Sequence, residues 1–470
     1  MSIRYLIYLI NFLLIIWFIF FQNKDYRSSL KWIFLFLLFP IISFVFYYFL
    51  GMGIKIDQKK YKTVEERVSK VVDYFIPHHN FRCVDSSLKQ CLEVNRVLGA
   101  SELTYYNDIY YFTDGNTYYQ KLLNDINSAK RSINIEMYII RDDEFGNTLL
   151  DILLNKAKQG VKVKILYDPN GNITNKRSWL KKYTHPNIQI VKTFSLIYRV
   201  RNFNYRNHKK IVVIDGKMAY LGGFNFGLEY ASNEEKVEPF RDTQIKIYGE
   251  SVAIIQKQFY IDFYYAYSLS FPLVNLDIDK EDFENVKIEK MLPLQIISTS
   301  FSIRENIKRS RIKMLNLAKK EVFIQTPYFI LDPLMNETLK LLLFSNVKVN
   351  IMIPLKYDQK IPFCATLANV RELYNLGAKV YLYDGFIHSK VLIVDDLFLV
   401  VGSSNFDIRS FSLNLEIDAL IYSKNEVYRY KNIFYSDVIN SLEYSPLIEE
   451  KMFSSFKLGK RIFRLISSIM

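Results

Sequence analysis

The chain has 470 residues, half of them hydrophobic and 16% aromatic, with a formal net charge of +14. That size and apolar content exclude a disordered or low-complexity protein and leave room for two compact units plus accessory segments. Cys83, Cys91 and Cys364 are odd in number and lack CxxC spacing, which excludes a zinc site or a disulfide framework and fits a reducing compartment; the positive charge asks for an anionic partner without saying which.

The first element is IRYLIYLINFLLIIWFIFF, Ile3 to Phe21, almost wholly apolar and about long enough as a helix to cross the ~30 Å hydrocarbon core of a bilayer. Trp32 to Leu50 repeats the pattern after the short hydrophilic break Gln22 to Lys31, so residues 1–54 read as a transmembrane helical hairpin with both ends on one side. No small-residue cleavage site follows, which argues against a signal peptide. Lys55, Lys59, Lys60 and Lys62 place the main domain on the cytoplasmic side, with Lys24, Arg27 and Lys31 in the turn weakening the contrast.

Residues 55–100 read as a basic, partly helical connector. Beyond it the chain repeats itself. INSAKRS leads into the strand-like INIEMYII, then a helix and GVKVKILYD; in the second half RIKMLNLAKKE leads into VFIQTPYFI, then a helix from Pro333 and NVKVNIMIP. Each half continues to a histidine: NHKKIVVIDGKMAYLGGFNFG from Asn207 and IHSKVLIVDDLFLVVGSSNFD from Ile387 superimpose without a gap. Strands alternating with helices imply two α/β units related by a pseudo-twofold, 101–285 and 286–470, built on parallel or mixed sheets. The C-terminal KMFSSFKLGKRIFRLISSIM has the spacing of a basic amphipathic helix, for a membrane surface or for packing on the protein.

Both histidine segments read HxKxxxxD followed by a small-residue turn and Asn. On a strand, His and Lys two apart project from one face. Two copies meeting at the pseudo-twofold would set His208 and His388 on either side of a phosphodiester, with Lys210 and Lys390 on its anionic oxygens and Asn225 and Asn405 as neutral donors. One neutral imidazole can attack phosphorus while the other, protonated, gives its proton to the leaving oxygen and then takes one from the incoming alcohol. The lysines supply charge stabilisation, so no metal or cofactor is called for. Aligning RDTQIKIY with NLEIDALIY sets Asp242 against Glu416 as carboxylates that orient the imidazoles, one expected in each half. Asp215 and Asp395 complete the motif and are counted with the catalytic set, although their place after the strand suits them to holding the turn. Tyr328 and Glu136, at strand ends, are candidates for the pocket wall or for plain packing. His78, His79 and His185 sit in turn-like surroundings and carry no role.

These motifs, with FRDTQIKIYG, TPYFILD and GSSNFDIRSFSLNLE, resemble the phospholipase D superfamily, and nearly the whole chain, hairpin included, is similar to the bacterial cardiolipin synthases. The resemblance implies condensation of two phosphatidylglycerol molecules into cardiolipin and glycerol at a bacterial cytoplasmic membrane, with no nucleic acid as partner. Gly222-Gly223 departs from the superfamily's Gly-Ser, which Gly402-Ser403 keeps; this separates the two sites, and His208 is the first choice of nucleophile. A hydrolase or nuclease using the same histidines, or a silent lipid-binding scaffold, are the rival readings; retention of all four His and Lys residues speaks against the scaffold.

Overall fold

The computed structural model describes residues 3–21, 26–51, 57–77, 79, 86–99, 102–176, 178–194, 204–231, 239–278, 280–283, 288–301 and 303–453. The predicted C-terminal amphipathic helix beyond Phe453, His78, Lys55 and residues 22–25 of the hairpin turn lie outside them. The chain divides into two compact units, Met1–Asp57 with Phe194–Tyr205, and Gln58–Thr193 with Arg206–Met470.

In the first unit a helix spans Ile3–Phe21 and a second Tyr26–Leu38. The predicted second span is interrupted. Pro40 has no N–H to donate and its ring opposes the helical carbonyl four residues back, so the helix stops at Leu38 and resumes only as Ile42–Phe46 and a wide turn, Tyr47–Gly51. Phe18, Trp32, Phe36 and Tyr47 are buried together, while Phe12, Phe20, Phe34 and Leu37 face outward. Among the described residues, no helix is long and apolar enough to cross a membrane.

The second unit is built on one sheet of fifteen strands. Its first half runs Ile188–Lys192, Lys162–Tyr167, Ser132–Met137, Lys210–Ile214, Met218–Gly222, Gln244–Gly249, Leu103–Phe112. The second half repeats that order as Lys379–Tyr383, Lys348–Pro354, Glu321–Gln325, Val391–Val394, Phe398–Gly402, Ile417–Ile421, Met291–Ser298, with Ser441–Glu443 added at its outer edge. The halves join where Leu103–Phe112 pairs antiparallel with Met291–Ser298.

The sheet is mixed. The strands joined through helices, Ser132–Met137 with Lys162–Tyr167 and Glu321–Gln325 with Lys348–Pro354, are parallel; the strands after each histidine run antiparallel to them. A parallel pair needs a crossover, and Glu144–Lys158 and Pro333–Phe344 provide it, capped by Asp143 and Asp332. Beyond the histidines the strands are joined by tight turns at residues 215–217 and 395–397, which permit only antiparallel neighbours.

The connector belongs to this unit. Helix Gln58–Val72 buries Tyr61, Val64, Val68 and Val72, one stripe at helical spacing, with Tyr61 edge-on to Tyr265 of the long buried helix Ser251–Ser268 at 5.1 Å. Helix Ser86–Gly99 adds Leu88, Cys91 and Leu92 to the core of the second half.

Candidate active site

Each histidine lies in the irregular segment that leads into a strand of one half, Lys210–Ile214 or Val391–Val394, and is pinned to the other half. Asn207 bridges Leu415, and the His208 N–H donates to the Leu415 carbonyl at 2.9 Å. By the pseudo-twofold, Phe386–Ile387 pairs with Phe240–Arg241, and the His388 N–H donates to the Arg241 carbonyl at 2.6 Å. The residue after each acceptor is the acid. His208 Nδ1 donates to both oxygens of Glu416 at 3.0 Å, and His388 Nδ1 to Asp242 Oδ2 at 2.6 Å. Each half thus carries one acid, as the repeat alignment places them, and each acid bonds the histidine of the other half.

Both acids are fully buried. Burial opposes their ionisation, but His208 and Lys210 around Glu416, and Lys390 and His388 around Asp242, overcome it and hold both carboxyls below the usual range. The ionised acids accept the Nδ1–H hydrogen bonds, which keeps the proton on Nδ1 and leaves each Nε2 for the cavity. Burial also lowers both imidazoles, His388 to about 3 with Lys390 contributing, so both are neutral near pH 7 without an anion beside them. Lys210 Nζ donates to the His208 carbonyl at 2.8 Å and Lys390 to that of His388. Burial pushes Lys210 down to about 7 and Lys390 to about 8, against the pull of Glu416 and Asp242 respectively.

The Gly-Gly departure has a steric reason. A Cβ at Gly223 would collide with the Asp242 carboxylate. On the other side, Ser403 Oγ donates to Glu416 Oε2 at 2.6 Å, and Ser410 and Asn414 donate to Oε1. The two carboxylates are thus held differently, one by side-chain donors and the other by Lys390 and the Thr243 N–H.

His208, His388, Asn225, Asn405 and Tyr328 line one cavity of ≈ 580 Å³, within the usual range for ligand sites, about 300–1,000 Å³. The side-chain oxygens of Asn225 and Asn405, as oriented, have no hydrogen-bond partner. Glu136 is not in the wall; buried, it accepts from Asn207 Nδ2 at 2.7 Å and so braces the residue before His208.

Asp215 and Asp395 are not in the wall either, which corrects their place in the catalytic set. Asp215 accepts the backbone N–H groups of Lys130, Arg131 and Ser132, and Asp395 those of Lys319, Lys320 and Glu321. Both sit in the left-handed region, φ 52° and 49°, which Asp and Asn tolerate better than most residues. Asp395→Ala, leaving three backbone donors without that acceptor, is expected to lower stability by about 2–4 kcal/mol in denaturant unfolding while Asp395→Asn recovers much of it. Folded Asp395→Ala protein should keep most of its kcat.

The sequence reading missed Tyr138, Arg206, Arg409, Arg141 and Glu229, all in the cavity wall. Tyr138 is edge-on to His208 at 4.9 Å with Lys210 Nζ 5.3 Å from its ring centroid. The repeat gave no direct signal: with Glu136 opposite Ile211 and Gln325 opposite Val391, Tyr138 matches Pro327 and Tyr328 comes one residue later.

A duplicated mixed sheet whose two His-Lys segments converge in one cavity, each imidazole held by a buried carboxylate, defines a two-motif phospholipase D-like α/β protein. The family "Cardiolipin synthase, PLD-like domain" matches residues 122–249 and again 312–438. The chain belongs to that family. It is 34% identical to the cardiolipin synthase of Listeria welshimeri over 465 residues, 96% of this chain and 95% of the relative, and 34% identical to that of Staphylococcus aureus over 477 residues, 98% and 95%. Among solved structures, a phosphatidylserine synthase from Haemophilus influenzae covers 81% of this chain and 100% of its own, with a TM-score of 0.63 at 16% identity, a likeness of fold.

Proposed function

We propose that the protein is a cardiolipin synthase that transfers the phosphatidyl group of one phosphatidylglycerol to a hydroxyl of another through a phosphohistidine. The observation that carries this reading is the pair of imidazoles, each held through Nδ1 by an ionised acid, lining one cavity with two buried lysines beside them. One Nε2, that of His208 by the first choice, attacks phosphorus; the other imidazole, brought to its protonated form by the bound phosphodiester anion, gives its proton to the glycerol oxygen as the bond to that oxygen breaks. The second half runs in reverse sense: that imidazole takes the proton of the incoming hydroxyl, the new P–O bond forms and the N–P bond breaks. Lys210 and Lys390 neutralise the equatorial oxygens, and Asn225 and Asn405 add donors through their amides.

Residues 101–285 and 286–470 are read as the two phospholipase D-like units. The N-terminal unit is read as a membrane-embedded hairpin carrying the catalytic part on the cytoplasmic side; the outward Phe12, Phe20, Phe34 and Leu37 form an apolar exterior suited to lipid. The acceptor and product are accordingly lipids of the same membrane.

The test is incubation of the purified chain in liposomes with labelled phosphatidylglycerol and no added divalent metal. Cardiolipin and glycerol are the expected products; phosphatidic acid as the main product would make the protein a hydrolase. The same assay carries a pH prediction. A phosphodiester anion binds the ammonium form, so kcat/KM, which reports the free enzyme, should fall as pH rises through about 7 to 8, where Lys210 and Lys390 lose their protons. The corresponding fall in kcat should lie higher, because bound phosphate favours the charged lysines. On the acid side activity should persist below pH 6.5, since burial lowers both imidazoles from that value.

A further inference from the structure

The proposed reaction joins two molecules of one kind, yet one gives a phosphatidyl group and the other a hydroxyl. A site with perfect twofold symmetry would have no means to bind them differently. The reacting phosphorus needs only the symmetric parts, the paired histidines, lysines and asparagines. The acceptor brings something the donor does not: a second phosphate, one glycerol unit away from the hydroxyl that reacts.

The cavity breaks its own symmetry at two positions. The gapless repeat, an offset of 180 residues, sets Arg206 against Phe386 and Glu229 against Arg409. All four line the cavity. Phe386 lies against His388 together with Phe240, ring centroids 5.7 and 5.6 Å away, and Glu229 is paired to Arg141 at 2.8 Å. Arg206 and Arg409 instead sit together around Tyr138, the residue edge-on to His208. Burial, then the Arg206 guanidinium, holds Arg409 below its usual range, against Asp407 and Tyr138. Both guanidinium groups thus face the cavity where the repeat has Phe386 and Glu229, and a guanidinium presents its donors in the fork that a phosphate accepts.

We infer that Arg206 and Arg409 form a subsite for the second phosphate of the acceptor, the glycerol-linked phosphodiester that does not react. The inference rests on the phosphatidyltransferase reading above and adds to it the means by which acceptor and donor are told apart. Selection for an anionic acceptor over glycerol or a simple alcohol follows directly.

The experiment compares two reactions that share the first half. In liposomes of phosphatidylglycerol, cardiolipin formation needs an acceptor with a second phosphate; exchange of labelled free glycerol into phosphatidylglycerol does not. In Arg206→Gln and Arg409→Gln the ratio of cardiolipin formed to glycerol exchanged should fall about tenfold or more, with Arg409→Lys recovering part of it. An unchanged ratio, whether both reactions fall together or neither falls, overturns the subsite; joint loss would put the arginines on the reacting phosphate or on the fold. Wild-type protein that carries out neither reaction would bring down the phosphatidyltransferase reading itself, and the subsite with it.

Discussion

His208→Ala and His388→Ala are each expected to lower cardiolipin formation by about 10⁴-fold or more, since each removes either the atom that carries the phosphatidyl group or the proton donor and acceptor for both alcohols. Lipid analysis after incubation with labelled phosphatidylglycerol reads the loss. Both imidazoles are only about a tenth exposed and bonded to a buried acid, so thermal unfolding of each variant should accompany the assay. The two roles separate with an activated donor such as phosphatidyl-p-nitrophenol, whose leaving group needs no proton. The variant lacking only the proton donor should regain release of nitrophenolate and trap a phosphoenzyme; the variant lacking the nucleophile should do neither. Full turnover in either variant would remove the phosphohistidine mechanism.

The second large effect belongs to the acids. Glu416→Gln and Asp242→Asn keep the shape of a buried side chain but remove the charge that holds the Nδ1 proton, so kcat should fall about 10²–10⁴-fold in each. Because Glu416 bonds His208 and Asp242 bonds His388, the losses should fail to add in those pairs: Glu416→Gln in a His208→Ala background should cost little more, and likewise Asp242→Asn with His388→Ala. Non-additivity in the within-half pairs instead, His208 with Asp242 and His388 with Glu416, would contradict the crossed geometry. The crossing also means that neither half has a complete site by itself, since each histidine lacks its acid until the other half is present.

Much of the site was legible because it depends on short-range regularities. The HxK spacing recurs in both halves although His208, His388 and Lys390 stand just outside the strands, and the gapless match between Asn207 and Ile387 onward exposed the duplication and, through it, Asp242 and Glu416. Asp215 and Asp395 were harder: proximity to the motif in sequence suggested chemistry, whereas the antiparallel turn carries their carboxylates to the far end of the strand, onto backbone donors at residues 130–132 and 319–321. The predicted second membrane span also read as continuous on hydropathy alone, which takes no account of Pro40.

By itself the sequence determined that the chain is a duplicated α/β protein with one His-Lys pair per half, because strand periodicity and internal repetition are properties of the residues in order. Only the tertiary structure decided which acid serves which histidine and which side of the cavity is cationic. Those relations join residues 208 and 146 positions apart, through short ladders between the halves that set His208 beside Leu415 and His388 beside Arg241. Those pairings are set by how the two halves meet, and local periodicity holds no trace of it.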